Sequence, residues 1–123
     1  MAKSVKVEGY EAFKAAVDEH KGTTIFALFC GSIGKDGKSW CPDCVVAEPV
    51  INANLSKIAD DGVFIYCSVG DRTFWKDQNN AFRKDPSLML KGVPTLLKLG
   101  QPNRLVEEQC AKTDLVEMLF ADD

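Results

Sequence analysis

A single histidine, His20, is all the imidazole that this chain of 123 residues carries, and its five cysteines are an odd, widely spaced set. Two close cysteines, three isolated ones and one histidine make a poor four-ligand zinc site. The odd count also speaks against the paired disulfide framework of a small secreted scaffold, so most of the thiols are expected to be reduced. The opening MAKSVKVEGY lacks the apolar core of a signal peptide, and no stretch approaches the roughly 20 apolar residues of a membrane helix. A cytoplasmic protein without a membrane partner is expected. Positive charge is not in excess either. A net charge of -3 and a pI near 5.2 give no basic field for phosphates, so nucleic acid is not an expected partner. Repeats, low-complexity tracts and Pro/Ser-rich linkers are missing, and the length leaves no room for a second core. One domain over residues 1–123, acting as a monomer, is expected.

What is present is an alternation of strand-like and helix-like segments, the pattern of an α/β fold with one central sheet. Hydrophobic residues at 46% supply a core. Lys3 to Val7 reads as a first strand and 9–20 as a helix with Tyr10, Phe13, Ala16 and Val17 on one stripe. TTIFALFC, residues 23–30, is apolar almost throughout, as a strand covered on both faces would be. GSIGKDGKS is a loop. A helix is expected from Pro42 to about Asp60, burying Val45, Val46, Val50, Leu55 and Ile58. Val63 to Val69 is a second buried strand, followed by a polar stretch with one short helix near Trp75 to Lys84. Thr95 to Leu99 and Arg104 to Glu108 read as antiparallel strands joined at GQPN. A last helix, 114–120, is expected to start at an N-cap Thr113 and bury Leu115, Met118 and Leu119.

The chemistry concentrates at KSWCPDCVVAEP. Proline is favoured at the first helical position, which makes Cys41 the N-cap, where free backbone N–H groups and the helix dipole favour a thiolate. The Cys41 pKa is therefore expected to fall, with Lys38 in the preceding loop helping. Cys44 lies three residues on, on the same helix face and close enough to be joined. Cys41 reads as the outer nucleophile and Cys44 as the shielded resolving thiol. Asp43 opposes a thiolate beside it and disfavours acidic substrates, while Pro42 and Trp40 shape the turn. A zinc half-site and a purely structural staple are the competing readings. The ligand count weighs against zinc, and the small loop such a staple would close weighs against a structural disulfide. Phe74, Trp75 and Phe82 read either as a rim or, more simply, as packing, and Cys30 and Cys67 as small hydrophobes within strands.

Trp40-Cys41-Pro42-Asp43-Cys44, Pro49 in the same helix and Val93-Pro94-Thr95 before a strand together resemble the thioredoxin superfamily. With the GSIGKDGKS loop and FWKDQNNAFRK, they resemble its small cytosolic thioredoxin-related branch over essentially the whole chain. The resemblance implies a mixed sheet of about five strands with helices on both faces, and insertions after strands 2 and 3. It implies that Cys41 and Cys44 form a reversible disulfide, and that Pro94 is cis and faces them. It implies that Trp40, Val93 and Pro94 contact substrate, and that no cofactor is bound. Electrons would come from NADPH through thioredoxin reductase, a partner, and would reduce disulfides in proteins or small molecules, such as cystine or a dynein light chain. A minor peroxidase activity is also implied, and a redox-gated adaptor is the alternative. The aspartate that the superfamily buries beneath the resolving cysteine has Ala27 as its nearest match, so that role passes elsewhere or is lost.

Overall fold

The computed structural model describes residues 2–121. Five strands, β1 (Lys3–Glu8), β2 (Ile25–Cys30), β3 (Val63–Ser68), β4 (Thr95–Lys98) and β5 (Arg104–Val106), form one mixed sheet in the order β1-β3-β2-β4-β5. β3 pairs parallel with both β1 and β2, while β4 runs antiparallel to β2 and to β5. β2 is therefore central, and all six of its residues are buried. Its unbroken apolar run follows from that position.

Alternation along β2 and β3 separates the two faces. Phe26 and Phe64, paired in register, both pack against Phe120, at 5.2 and 6.2 Å between ring centroids. Phe120 belongs to α5 (Thr113–Ala121), which packs beside α2 (Pro42–Ala53). Leu28, Cys30, Tyr66 and Ser68 share this face by parity. On the opposite face Phe29 meets Phe13 of α1 (Tyr10–Glu19) at 5.0 Å and Phe82 at 5.9 Å. Each such buried ring contributes on the order of 2–3 kcal/mol by removal from water.

The segment after β3 folds as two short helices, α3 (Arg72–Lys76) and α4 (Ala81–Lys84), where one was expected. Asp71 and Asn80 each cap a helix start, accepting from the N–H of Phe74 at 2.8 Å and Arg83 at 3.1 Å. Phe82 and Trp75 are buried, as packing requires, and Phe74 is exposed. The segment is fastened to α1: Tyr10 Oη donates to Asp85 at 2.7 Å, Lys14 Nζ lies 3.6 Å from the same carboxylate, and the Tyr10 ring meets Phe82 edge-on.

Other boundaries and faces differ from expectation. α2 ends at Ala53, because the Asn54 side chain donates to Val50 O at 2.9 Å and the chain then tightens into a 3₁₀ turn at Leu55–Lys57. Its buried stripe is Cys44, Ala47 and Ile51, and Val46 points outward. In α5 the inward residues are Val116, Leu119 and Phe120, with Met118 exposed. Thr113 is the first helical residue rather than the cap. β5 stops at Val106, since Glu107 takes a left-handed φ of 56° and starts a 3₁₀ turn through Ala111.

Candidate active site

The sulfurs sit beyond the C-terminal ends of the parallel strands β2 and β3, where the loops after these strands meet. Ser32 N–H and Trp40 Nε1–H both donate to Gly70 O, at 3.0 and 2.9 Å, tying the two loops together. Gly31 gives Trp40 its place, because a Cβ there would overlap the indole. The 31–40 loop folds back on itself: Ser39 Oγ donates to Gly31 O at 2.8 Å and accepts from Cys41 N–H at 3.1 Å. This fixes Cys41 as the N-cap of α2, with Pro42 at the first helical position.

Cys44 N–H donates to the Cys41 sulfur at 3.2 Å, the capping bond that holds charge at a helix start. The Cys41 thiol also reaches Val93 O at 3.4 Å. The Val93–Pro94 peptide bond is cis. Cys41 is 4% exposed and Cys44 0%. The outer sulfur thus touches an open cleft of about 510 Å³, while the inner one is sealed. Trp40, Pro42, Asp43 and Val93 line that cleft, so the structure brings them together with Cys41. Lys38 does not join them: it lies along a separate groove beside Pro49 and Glu48.

The expected fall in the Cys41 pKa is corrected by what surrounds the thiol. Cys44 and then burial hold it up from its ordinary value, Asp43 adds a little in the same direction, and the Cys44 N–H pulls it down. The Cys44 contribution is first the thiol–thiol hydrogen bond that Cys41 loses on ionising and only then the charge of a second thiolate, so it belongs to the pair. Cys44 is itself held up, first by its contact with Cys30 and also by burial, against lowering contacts from Cys41 and the Gly31 N–H. The helix start is one influence among several, and burial and the neighbouring thiols oppose it.

Several neighbours carry no sequence signal. Cys30 contacts the Cys44 sulfur, although its strand position reads as packing. Arg72, Lys76, Arg83 and Lys91 line the cleft opposite Asp43 and Glu107. Four cations thus share the cleft with a cluster of three carboxylates, Asp43, Glu107 and Glu108, whose oxygens lie within 4.8 Å of one another, so the charge Asp43 adds is partly offset. The Arg83 guanidinium is held over the Trp75 ring at 4.0 Å. Cys67 and Cys110 are directed at the carbonyls of Ser68 at 3.6 Å and Leu105 at 3.4 Å; burial first pushes each up to about 12, and for Cys110 the nearby Cys41 and Asp43 add in the same direction.

Comparison with known proteins places this geometry. The sequence profile described as "Thioredoxin domain-containing protein 17-like, thioredoxin domain" matches residues 6–122. The chain is 56% identical over 119 residues to thioredoxin domain-containing protein 17 of Mus musculus, covering 97% of this chain and 95% of the relative. To the protein of the same name from Danio rerio it is 57% identical over the same length and shares. Among solved structures, a mutant thioredoxin from Halobacterium salinarum superposes with a TM-score of 0.60 at 21% identity, covering 96% of this chain and 88% of that one.

Proposed function

Because the chain belongs to the thioredoxin domain-containing protein 17-like family of thioredoxin domains, we propose that it is a cytosolic thiol-disulfide reductase working through Cys41 and Cys44. The observation that carries this reading is the Cys41 sulfur at the head of α2, facing the cleft and accepting the Cys44 N–H, with Cys44 sealed directly behind it.

Cys41 gives up its proton and attacks one sulfur of the substrate disulfide, expelling the other as a thiolate that takes up a proton. The Cys44 N–H and the start of α2 stabilise the charge on Cys41 before attack. Cys44 then attacks the Cys41 sulfur, releases the second substrate thiol and closes the Cys41–Cys44 disulfide. Trp40 and the Val93 backbone, set by the cis bond to Pro94, flank the approaching substrate chain, the Val93 carbonyl being freed as the Cys41 thiol reacts. Thioredoxin reductase and NADPH return the pair to the dithiol. The four cations of the cleft suit disulfides that carry carboxylates nearby, cystine among them, or acidic stretches of a protein such as a dynein light chain. A slow peroxidase reaction at Cys41 follows from the same thiolate.

The test is NADPH-coupled reduction of cystine in the presence of thioredoxin reductase. Parent protein turns over, while Cys41→Ser falls to the blank rate and Cys44→Ser accumulates a mixed disulfide. Equal rates for parent and Cys41→Ser would sink the reading.

A further inference from the structure

The Cys44 sulfur has sulfur neighbours on two sides. Cys41 lies toward the cleft, and Cys30 lies inward at the end of β2, on the sheet face that α2 covers. The Cys44 backbone N–H donates to the Cys41 sulfur at 3.2 Å, and the Cys44 thiol is close enough to Cys30 to feel that thiol first among its neighbours. Cys30 and Cys44 are each 0% exposed, so both thiols are shut off from water. Against Cys30, from the next strand, lies the Tyr66 hydroxyl, a buried group without a partner at full hydrogen-bonding geometry. An orphaned buried hydroxyl is destabilising, so a packing role for this corner leaves that group unexplained. Cys67 and Cys110 differ in that their sulfurs are directed at backbone carbonyls.

We propose that Cys30 is a third thiol of this redox centre, exchanging with the oxidised pair at Cys44 to form a Cys30–Cys44 disulfide and return Cys41 to the thiol. The Cys30 thiol loses its proton, and its sulfur attacks the Cys44 sulfur. The Cys44–Cys41 bond breaks, the electron pair leaves with Cys41, and Cys41 takes up the proton that Cys30 released. No external oxidant or reductant enters this step. Cys30 at the end of β2 and Cys44 in the first turn of α2 share one buried layer, so the exchange crosses between neighbouring elements and not through the fold. The Tyr66 hydroxyl is placed to donate to the Cys30 sulfur while it is negative. Once the inner disulfide forms, Cys41 faces the cleft without its resolving partner: it attacks a partner's disulfide, one partner sulfur leaves as the thiol, and the mixed disulfide with the other persists. The centre then holds that partner instead of releasing it fully reduced. The proposal rests on the reductase reading only for the origin of the Cys41–Cys44 disulfide.

Trypsin separates the outcomes, because cleavage after Lys35 and Lys38 leaves Cys30 on one peptide and both Cys41 and Cys44 on another. Parent protein oxidised with cystine, acid-quenched and blocked with N-ethylmaleimide is digested without reductant and read by mass spectrometry. A disulfide joining the two peptides is expected beside the loop within the second. Only the internal loop, with Cys30 fully alkylated, overturns the proposal. Cys41→Ser treated with diamide tests the inner pair independently of any reductase activity. Its four thiols are expected to fall to two per molecule within the monomer, through the Cys30–Cys44 link, and Cys41→Ser/Cys30→Ala is expected to keep its three. Four thiols surviving in Cys41→Ser overturn the proposal while leaving the reductase reading standing.

Discussion

The two faces of the sheet are built from different matter. On the α1 side Phe13, Phe29, Phe82 and Tyr10 form a layer of tilted and edge-to-face rings whose polar group, the Tyr10 hydroxyl, is matched to Asp85. On the α2 side, near the strand ends, the same strands present Cys30 and Tyr66 toward Cys44, and among the described residues the Tyr66 hydroxyl goes without a partner. Aromatic area stabilises without reacting, whereas sulfur packs as a small hydrophobe and still reacts. The contrast teaches that one face secures the loops that shape the cleft and the other supplies its thiols.

The sharpest way to break the contrast is Phe82→Ala. Removing this fully buried ring should cost about 3–5 kcal/mol in urea unfolding, because it joins α4 to both α1 and β2. Alkylation of Cys41 in the folded state should change little. If stability barely moves, the aromatic face is not the anchor.

The Tyr10–Asp85 bond predicts a pH signature confined to that face. Burial works against the Asp85 carboxylate, but hydrogen bonds from Ser87 and Tyr10 and the Lys14 charge outweigh it and leave the pKa at about 2. A depressed carboxylate stabilises the fold above its unfolded value near ~4 and loses that contribution as pH falls from there to about 2. Tyr10 is pushed up to about 12, first by its bond to Asp85. That raised acid contributes below its unfolded value near ~10 and loses the contribution as pH climbs to about 12. Asp85→Asn should flatten both arms of a stability profile and cost about 1–2 kcal/mol at neutrality. An unchanged acid arm would separate Asp85 from the acid sensitivity of the fold.

The smallest effect is expected from Tyr66→Phe. Its hydroxyl has no partner at full bonding geometry, so unfolding free energy should stay within about 0.5 kcal/mol of the parent or rise. A loss above about 1 kcal/mol would reveal a bond that the orphaned hydroxyl does not display.

The sheet, its helices and the CPDC pair were legible in the sequence, because long apolar runs and a proline after a cysteine each have one physical reading. The rest failed for identifiable reasons. IFALFC is buried on both sides, so its polarity does not say which side of the strand α2 covers, and Cys30 read as filler. Val46 and Met118 are apolar yet exposed, which broke the stripe count on both helices. The split between α3 and α4 had a signal in Asp71 and Asn80, each heading a turn, that went unused. The cationic side of the cleft gathers Arg72, Lys76, Arg83 and Lys91 from separate segments, a meeting that only the fold produces.

Trp40 rests in a hollow that exists because residue 31 has no side chain, and from there its indole reaches across to Gly70. The pentapeptide around the two sulfurs is therefore not a portable cassette. Transplanted into another scaffold, it would arrive without the floor it stands on, nine positions upstream, or the beam it leans against, thirty positions downstream.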